Sequence, residues 1–204
     1  MFENVIVQKP WGYEYLVYEN DNVGVWYLNI EYGQQTSLHS HPNKKTGLII
    51  LSGVAEISFL NHKFNLVPPD KTMIRHGVFH STKCISKQGL KVLEVETPKD
   101  KTDLVRLEDS YGRAGQPYEN SKHHKHQKLY NLDNCDSVML GDCTLDKRDT
   151  LCQNQYHTYI ITEGGVESNG HPVLSHGDIV DNQTLIRLAN KFDPLPSKII
   201  GVDY

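Results

Sequence analysis

Two histidines one residue apart, followed at fixed spacing by a threonine and a glycine, are the most chemically suggestive feature of this chain. The pattern reads Gly33-x5-His39-x-His41-x4-Thr46-x6-Gly53, and a further histidine, His80, lies downstream. On a β-strand, residues i and i+2 point to one side of the sheet, so His39 and His41 can aim two neutral ring nitrogens at a single point. That arrangement is how a barrel holds a metal ion. Glu94 and Glu96 share a strand parity with Val92. Facing inward, either can take a proton from a carbon next to a polarised carbonyl once burial has raised its pKa; facing outward, they are ordinary solvated charges. Lys44 and Lys45, between the histidine pair and Thr46, are alternative bases or phosphate contacts. Arg106 and Arg113 carry guanidinium forks suited to phosphate or carboxylate, with a surface ion pair to Glu108 or Asp109 the competing reading for Arg106. Trp11 and Tyr13 suit stacking on the C–H faces of a sugar, or closure of a barrel end as core aromatics.

The elements that must position these groups are short β-type runs at residues 25–30, 48–51, 54–59 and 91–96, punctuated by Gly, Pro, Asn and Asp. No stretch carries a long helical period, so the expected class is all-β, a sandwich or barrel. Residues 116–128 (QPYENSKHHKHQK) are polar and nearly free of aliphatic side chains, which marks a linker. Its His123, His124 and His126 read as a solvated segment rather than a second metal site. Beyond it the chain echoes itself: residues 158–164 resemble 47–53, 169–174 resemble 61–66, 176–180 stand where 69–74 would, and 198–202 resemble 91–95. Two degenerate copies of one β unit are expected, divided at 1–115 and 129–204. In the second copy Cys152-Gln153-Asn154 lies where the histidine pair should be.

A formal net charge of −4, with 38% hydrophobic and 23% charged residues, describes an ordinary soluble protein and argues against nucleic acid as the main partner. The N-terminus lacks a basic region followed by an apolar core, and no apolar run approaches a bilayer span. A cytoplasmic protein without a membrane partner is therefore expected. Cys84, Cys135, Cys143 and Cys152 form no CxxC pair and read as reduced, partly buried thiols.

The segment from Gly33 to Gly53 resembles the first motif of the cupin superfamily, and Arg75-His76-Gly77-Val78-Phe79-His80 resembles its second, with Arg75 at the usual proline position. The resemblance implies a double-stranded β-helix (jelly-roll) barrel, here a bicupin with a degenerate second unit. It also implies one divalent metal held by His39, His41 and His80. Thr46 occupies the position where that superfamily usually has a glutamate ligand. Three neutral imidazoles would leave the full metal charge on the site, with Zn, Fe, Ni and Mn all compatible. A narrower resemblance comes from Lys9-Pro10-Trp11-Gly12-Tyr13-Glu14 and the run from Asp103 to Arg113 (DLVRLEDSYGR), which are similar to the ends of the isomerase domain of type II mannose-6-phosphate isomerases. This second resemblance covers residues 7–115. That family has Gln where His39 stands, a His-rich stretch at residues 42–44 and Glu where Thr46 stands. The expectation is a metal-dependent isomerase or epimerase of a sugar or sugar phosphate, in a polysaccharide or nucleotide-sugar pathway, with Glu94, Glu96 or Lys44 moving the proton. Its rivals are a three-His non-haem iron dioxygenase and a non-catalytic ligand-binding cupin. Homodimerisation is implied by the resemblance and would cover exposed strand edges.

Overall fold

The computed structural model describes residues 5–116, 118, 123–125, 129–132, 134–151 and 154–204. In its first half the chain forms β1 (Val5–Lys9), β2 (Gly12–Glu19), β3 (Gly24–Ile30), β4 (Leu38–Ser40), β5 (Lys45–Ser52), β6 (Ala55–Phe59), β7 (Lys63–Leu66), β8 (Lys71–Ile74), β9 (His80–Cys84), β10 (Leu90–Thr97), β11 (Val105–Glu108) and β12 (His123–Lys125). These build two antiparallel sheets, ordered β12-β1-β2-β3-β10-β5-β8 and β11-β4-β9-β6-β7. Four-stranded portions of the two, β3-β10-β5-β8 and β4-β9-β6-β7, enclose a core of Trp26, Leu28, Leu48, Ile50, Ile57, Leu66, Cys84 and Val92. This is the jelly-roll barrel that the cupin resemblance implied.

Continuous apolar runs such as Leu48-Ile49-Ile50-Leu51 arise because both faces of the larger sheet are covered. Leu48 and Ile50 point into the barrel, while Ile49 and Leu51 pack against the second half of the chain. The same parity divides β3 and β10: Val92 faces the barrel and Leu93 and Val95 face away. One face of the sheet therefore belongs to the site and the other to a buried interface.

That interface is made by β13 (Ser137–Leu140), β14 (Cys143–Arg148), β15 (Thr158–Glu163), β16 (Val166–Ser168), β17 (His171–Leu174), β18 (Ile179–Asp181), β19 (Asp193–Pro194) and β20 (Lys198–Asp203), with α1 (Asn182–Ala189) between β18 and β19. Its sheets run β13-β14-β20-β15-β18 and β17-β16-β19. Strand for strand, this repeats the order β2-β3-β10-β5-β8 and β7-β6-β9 of the first half. Turn chemistry repeats as well. Val54 N donates to Ser86 Oγ at 2.9 Å and Gly165 N to Ser197 Oγ at 2.8 Å. Val67 N donates to Asp70 Oδ2 at 3.0 Å and Ser175 N to Asp178 Oδ2 at 2.7 Å. Gly53 and Gly164 occupy matching turns at φ of +88° and +70°, and a Cβ at either would lie within 2.3 Å or 2.1 Å of a backbone carbonyl oxygen, so only glycine fits.

Two sequence expectations need correction. The linker reading of residues 116–128 omits β12, whose backbone pairs antiparallel with β1 through Val5↔Lys125 and Val7↔His123; residues 117, 119–122 and 126–128, with the His126 reading, lie outside the described residues. Helix α1 also went unread. It is one short segment, capped by Asp181, whose carboxylate accepts from Thr184 N at 2.8 Å, and it buries only Leu185. Cys84 and Cys143 are buried free thiols and Cys135 is exposed, while Cys152 and Gln153 fall outside the described residues. Among the described residues no helix is long and apolar enough to cross a membrane.

Candidate active site

His39 on β4 and His80 on β9 are direct cross-strand partners, and His41 follows on the chain just past β4. The ring centroids of His39 and His80 are 4.5 Å apart, those of His39 and His41 4.9 Å, and those of His41 and His80 5.6 Å. One ligand atom from each lies within 4.8 Å of the others. Each Nδ1 is committed to a backbone carbonyl: His39 to Ser37 at 2.7 Å, His41 to Asp103 at 2.6 Å and His80 to Val78 at 3.0 Å. A carbonyl oxygen can only accept, so each Nδ1 carries the proton and each Nε2 presents its lone pair. His41 Nε2 and His80 Nε2 are buried without a hydrogen-bond partner among the described residues. Burial also keeps the rings neutral. It pulls His41 down to about 3 and His80 to about 4, against an ordinary 6.5, and holds His39 well below that value, with neighbouring rings and Lys44 adding to the effect. Preoriented neutral imidazoles with anchored Nδ1 atoms fit a divalent metal.

Beside the triad, Glu94 and Glu96 face into the barrel and form a second group with His41, again within 4.8 Å. The two groups share His41 only. Glu96 is the cross-strand neighbour of Thr46 and is ion-paired to Lys44 Nζ at 2.6 Å and Lys101 Nζ at 3.2 Å. Burial alone would raise its pKa, but Lys101 and Lys44 outweigh it and hold the carboxyl well below its usual range. Glu94 differs. Its burial dominates over Lys101, 3.6 Å away, and together with the charge of Glu96 pushes it up to about 7. Two neighbouring carboxylates thus have pKa values driven apart, the pattern of an acid-base group beside a fixed charge.

A small pocket of about 60 Å³ opens over these groups, lined by His39, His41, Glu94 and Glu96 together with Trp11, Lys44, Arg106 and Arg113. Five cationic side chains (Lys9, Lys44, Lys101, Arg106, Arg113) face three carboxylates (Glu14, Glu94, Glu96) there, so the pocket of an otherwise anionic chain favours an anion.

The structure brings most of the sequence-predicted site residues together and moves others. Tyr13 lies on the opposite face of its sheet, packed with Tyr15 and Tyr27, because its parity on β2 is that of the interface side; Glu14 takes the inward position. Lys45 points away too, reaching Asp178 at 2.7 Å. Lys44 is only 1% exposed and is tied to Glu96 and the Asp100 carbonyl, which makes it a structural cation rather than a free base. Arg106 Nη1 donates to the Gln116 carbonyl at 2.6 Å, and the residue lines the pocket. Arg113 is locked onto Asp109, Nη2 to Oδ1 at 2.7 Å.

Sequence reasoning missed Lys101, Glu14, Tyr118 and Asp103. Lys101 stands 3.9 Å over the Trp26 ring and faces three carboxylates, and Tyr118 donates its hydroxyl to Glu14. Asp103 holds the turn after the histidine pair, its carboxylate accepting from the backbone N of Asn43 and Lys44, each at 3.0 Å, while its carbonyl orients His41. An acidic residue at an apolar parity, Glu14 in β2, was the one signal available for any of them.

A barrel of this strand order, with a histidine cluster delivered by β4 and β9, is a cupin. More narrowly, residues 3–109, over half of the chain, match the family model described as mannose-6-phosphate isomerase C-terminal, and the chain belongs to that family. Similar curated proteins include the xanthan biosynthesis protein XanB of Xanthomonas campestris pv. campestris, 31% identical over 114 residues, which is 53% of this chain and 24% of XanB. Another is the alginate biosynthesis protein AlgA of Pseudomonas putida, 29% identical over 115 residues, 55% of this chain and 24% of AlgA. The chain thus spans about a quarter of the length of these relatives. Among solved structures, a conserved protein with a double-stranded beta-helix domain from Klebsiella pneumoniae matches with a TM-score of 0.44 and 20% identity, covering 47% of this chain and 84% of that one.

Proposed function

We propose that this protein is a metal-dependent isomerase or epimerase acting on a phosphorylated sugar, and that its second half is a degenerate copy of the first. The observation that carries the reaction is the pairing of three preoriented, neutral imidazoles with a buried carboxyl, Glu94, whose pKa is held near 7. A divalent ion held by the Nε2 atoms of His39, His41 and His80 would supply a Lewis acid for a carbonyl oxygen. Glu94, in its ionised form, takes the proton from the carbon adjacent to that carbonyl; the C–H electron pair becomes the new carbon–carbon double bond and the carbonyl π pair moves onto its oxygen, giving an enediolate. Returning the proton to the former carbonyl carbon, while the adjacent hydroxyl passes its proton to the enediolate oxygen, gives isomerisation; protonation of the original carbon on its opposite face by water gives epimerisation and leaves Glu94 to return its proton to solvent. Glu96, fixed between Lys44 and Lys101, stays ionised throughout, and the cationic wall that includes Arg106 and Arg113 holds the anionic end of the ligand. Placement in polysaccharide or nucleotide-sugar synthesis is supported by the similarity to XanB and AlgA, a xanthan and an alginate biosynthesis protein. Exposed Val105 and Leu107 on the edge strand β11 support association of two copies.

The test is proton exchange. Protein loaded with zinc or cobalt is incubated in deuterium oxide with a panel of aldose and ketose phosphates and followed by NMR. At least one should incorporate deuterium at the carbon next to its carbonyl, and E94Q should slow the incorporation by about 10²- to 10⁴-fold. No exchange in any member of the panel would overturn the proposal. A three-His iron dioxygenase is favoured by one observation, that among the described residues no carboxylate groups with all three histidines; iron retained under reducing conditions and substrate-dependent oxygen uptake would select it. A non-catalytic cupin would keep its ligand affinity in H39A.

A further inference from the structure

The half of the chain beyond the family match, which ends at residue 109, lies directly behind the strands of the site. One of its contacts with them is made by the turn between β17 and β18, Ser175 to Asp178. Asp178 Oδ2 accepts from Ser175 N at 2.7 Å, as Asp70 does for Val67 in the first half, and this fixes the carboxylate. Asp178 has a second task. Its Oδ1 receives Lys45 Nζ at 2.7 Å, and Ser175 Oγ receives the same ammonium at 3.2 Å. Gly177, at φ +81°, lies so close to β10 that a Cβ there would sit 1.9 Å from Thr97 Oγ1.

Lys45 and Thr97 are partners in register, the next pair along is Thr46 and Glu96, and Lys45 begins β5 where Thr97 ends β10. Strand ends open most readily. This particular end carries the Lys44–Glu96 pair on its barrel face, one residue from the gripped positions, because side chains alternate between faces.

We infer that the Gly177–Asp178 turn is a positioning device for the site: by gripping Lys45 and bearing on Thr97 from behind, it holds the ends of β5 and β10 in the register that joins Lys44 to Glu96. The second half of the chain then acts as an internal buttress, whatever reaction the barrel performs.

The experiment reads Lys44 directly. In full-length protein labelled with 15N-lysine, the buried Lys44 ammonium gives a side-chain proton signal protected from solvent, identified by its loss in K44R. In D178N and K45M, whose far-ultraviolet circular dichroism should match the parent, hydrogen exchange at this ammonium should accelerate by at least about tenfold, and D178E should restore protection. G177A tests the steric half: its Cβ pushes on Thr97 and should shift the Lys44 signal even with Asp178 intact. A turn that served only stability would lower the melting temperature in all three variants and leave the Lys44 signal and its exchange unchanged, which would overturn the inference. If Lys44 responds as expected while no sugar phosphate exchanges deuterium, the buttress stands and the proposed reaction falls.

Discussion

Replacing Lys44 by methionine should be among the most damaging single changes to this fold, and the damage should be repairable by a second change. Lys44 and Glu96 are 1% and 2% exposed and 2.6 Å apart. The folded environment lowers the Glu96 pKa from 4.5 to about 2, which is worth about 3 kcal/mol at neutral pH on 1.36 kcal/mol per unit. Lys101 remains at 3.2 Å in the variant and offsets part of that, but the carboxylate loses its closer partner, and breaking one side of a buried pair costs about 3–5 kcal/mol. Against a total stability of about 5–15 kcal/mol, K44M should be severely weakened. The assay is urea unfolding of the parent, K44M, E96Q and K44M/E96Q at pH 7. The double variant should recover most of the loss, with a coupling energy of about 3 kcal/mol. The pH dependence has a definite sign. Because the folded pKa of Glu96 is depressed, its contribution is fully present above about 4.5 and is lost as pH falls toward 2; the gap between parent and K44M should therefore be widest near neutrality and close on acidification. A coupling energy below about 1 kcal/mol, or a gap that widens in acid, would refute the reasoning.

If Glu94 is the base, the rate of deuterium exchange should rise with pH along an acid limb near 7, and E94Q should lower it by about 10²- to 10⁴-fold. The folded pKa of Glu94 lies above its unfolded value, so its stabilising contribution is complete below about 4.5 and gone above about 7; chemical denaturation should show E94Q gaining on the parent across that window. H80A should weaken cobalt binding, measured by calorimetry, by about 100-fold or more, because it deletes one of three convergent lone pairs. G53A should cost about 2 kcal/mol in thermal or urea unfolding, since its Cβ would meet the Gly89 carbonyl at 2.3 Å in a left-handed turn.

Strand class and motif placement were legible because they rest on local rules. Parity puts His39 with His41 on one face and Glu94 with Glu96 on one face, leaving which face open for the glutamates, and glycines at 53 and 164 mark repeated turns. The echo between residues 47–53 and 158–164 was visible as well, and the strands of the second half follow the order of five and three strands of the first half's sheets. What escaped depends on partners distant in sequence. Parity cannot say which face of β2 meets the site, so Tyr13 was misplaced and Glu14 overlooked. Lys44 and Lys45 are adjacent, polar and alike in sequence, yet one is buried against Glu96 and the other is held by Asp178, separated from it by over a hundred residues. Lys101 and Asp103 sit beyond the end of β10, where no periodicity singles them out, and their roles come from carboxylates and carbonyls that only the closed barrel assembles.

The account rests on three imidazoles converging through Nε2 on one ion. X-ray absorption spectroscopy of protein loaded with one equivalent of zinc tests this directly. It should show three imidazole nitrogens at about 2.0–2.1 Å and lose one of them in H80A. A protein that retains no metal, or whose zinc has fewer than three imidazole ligands, would contradict it.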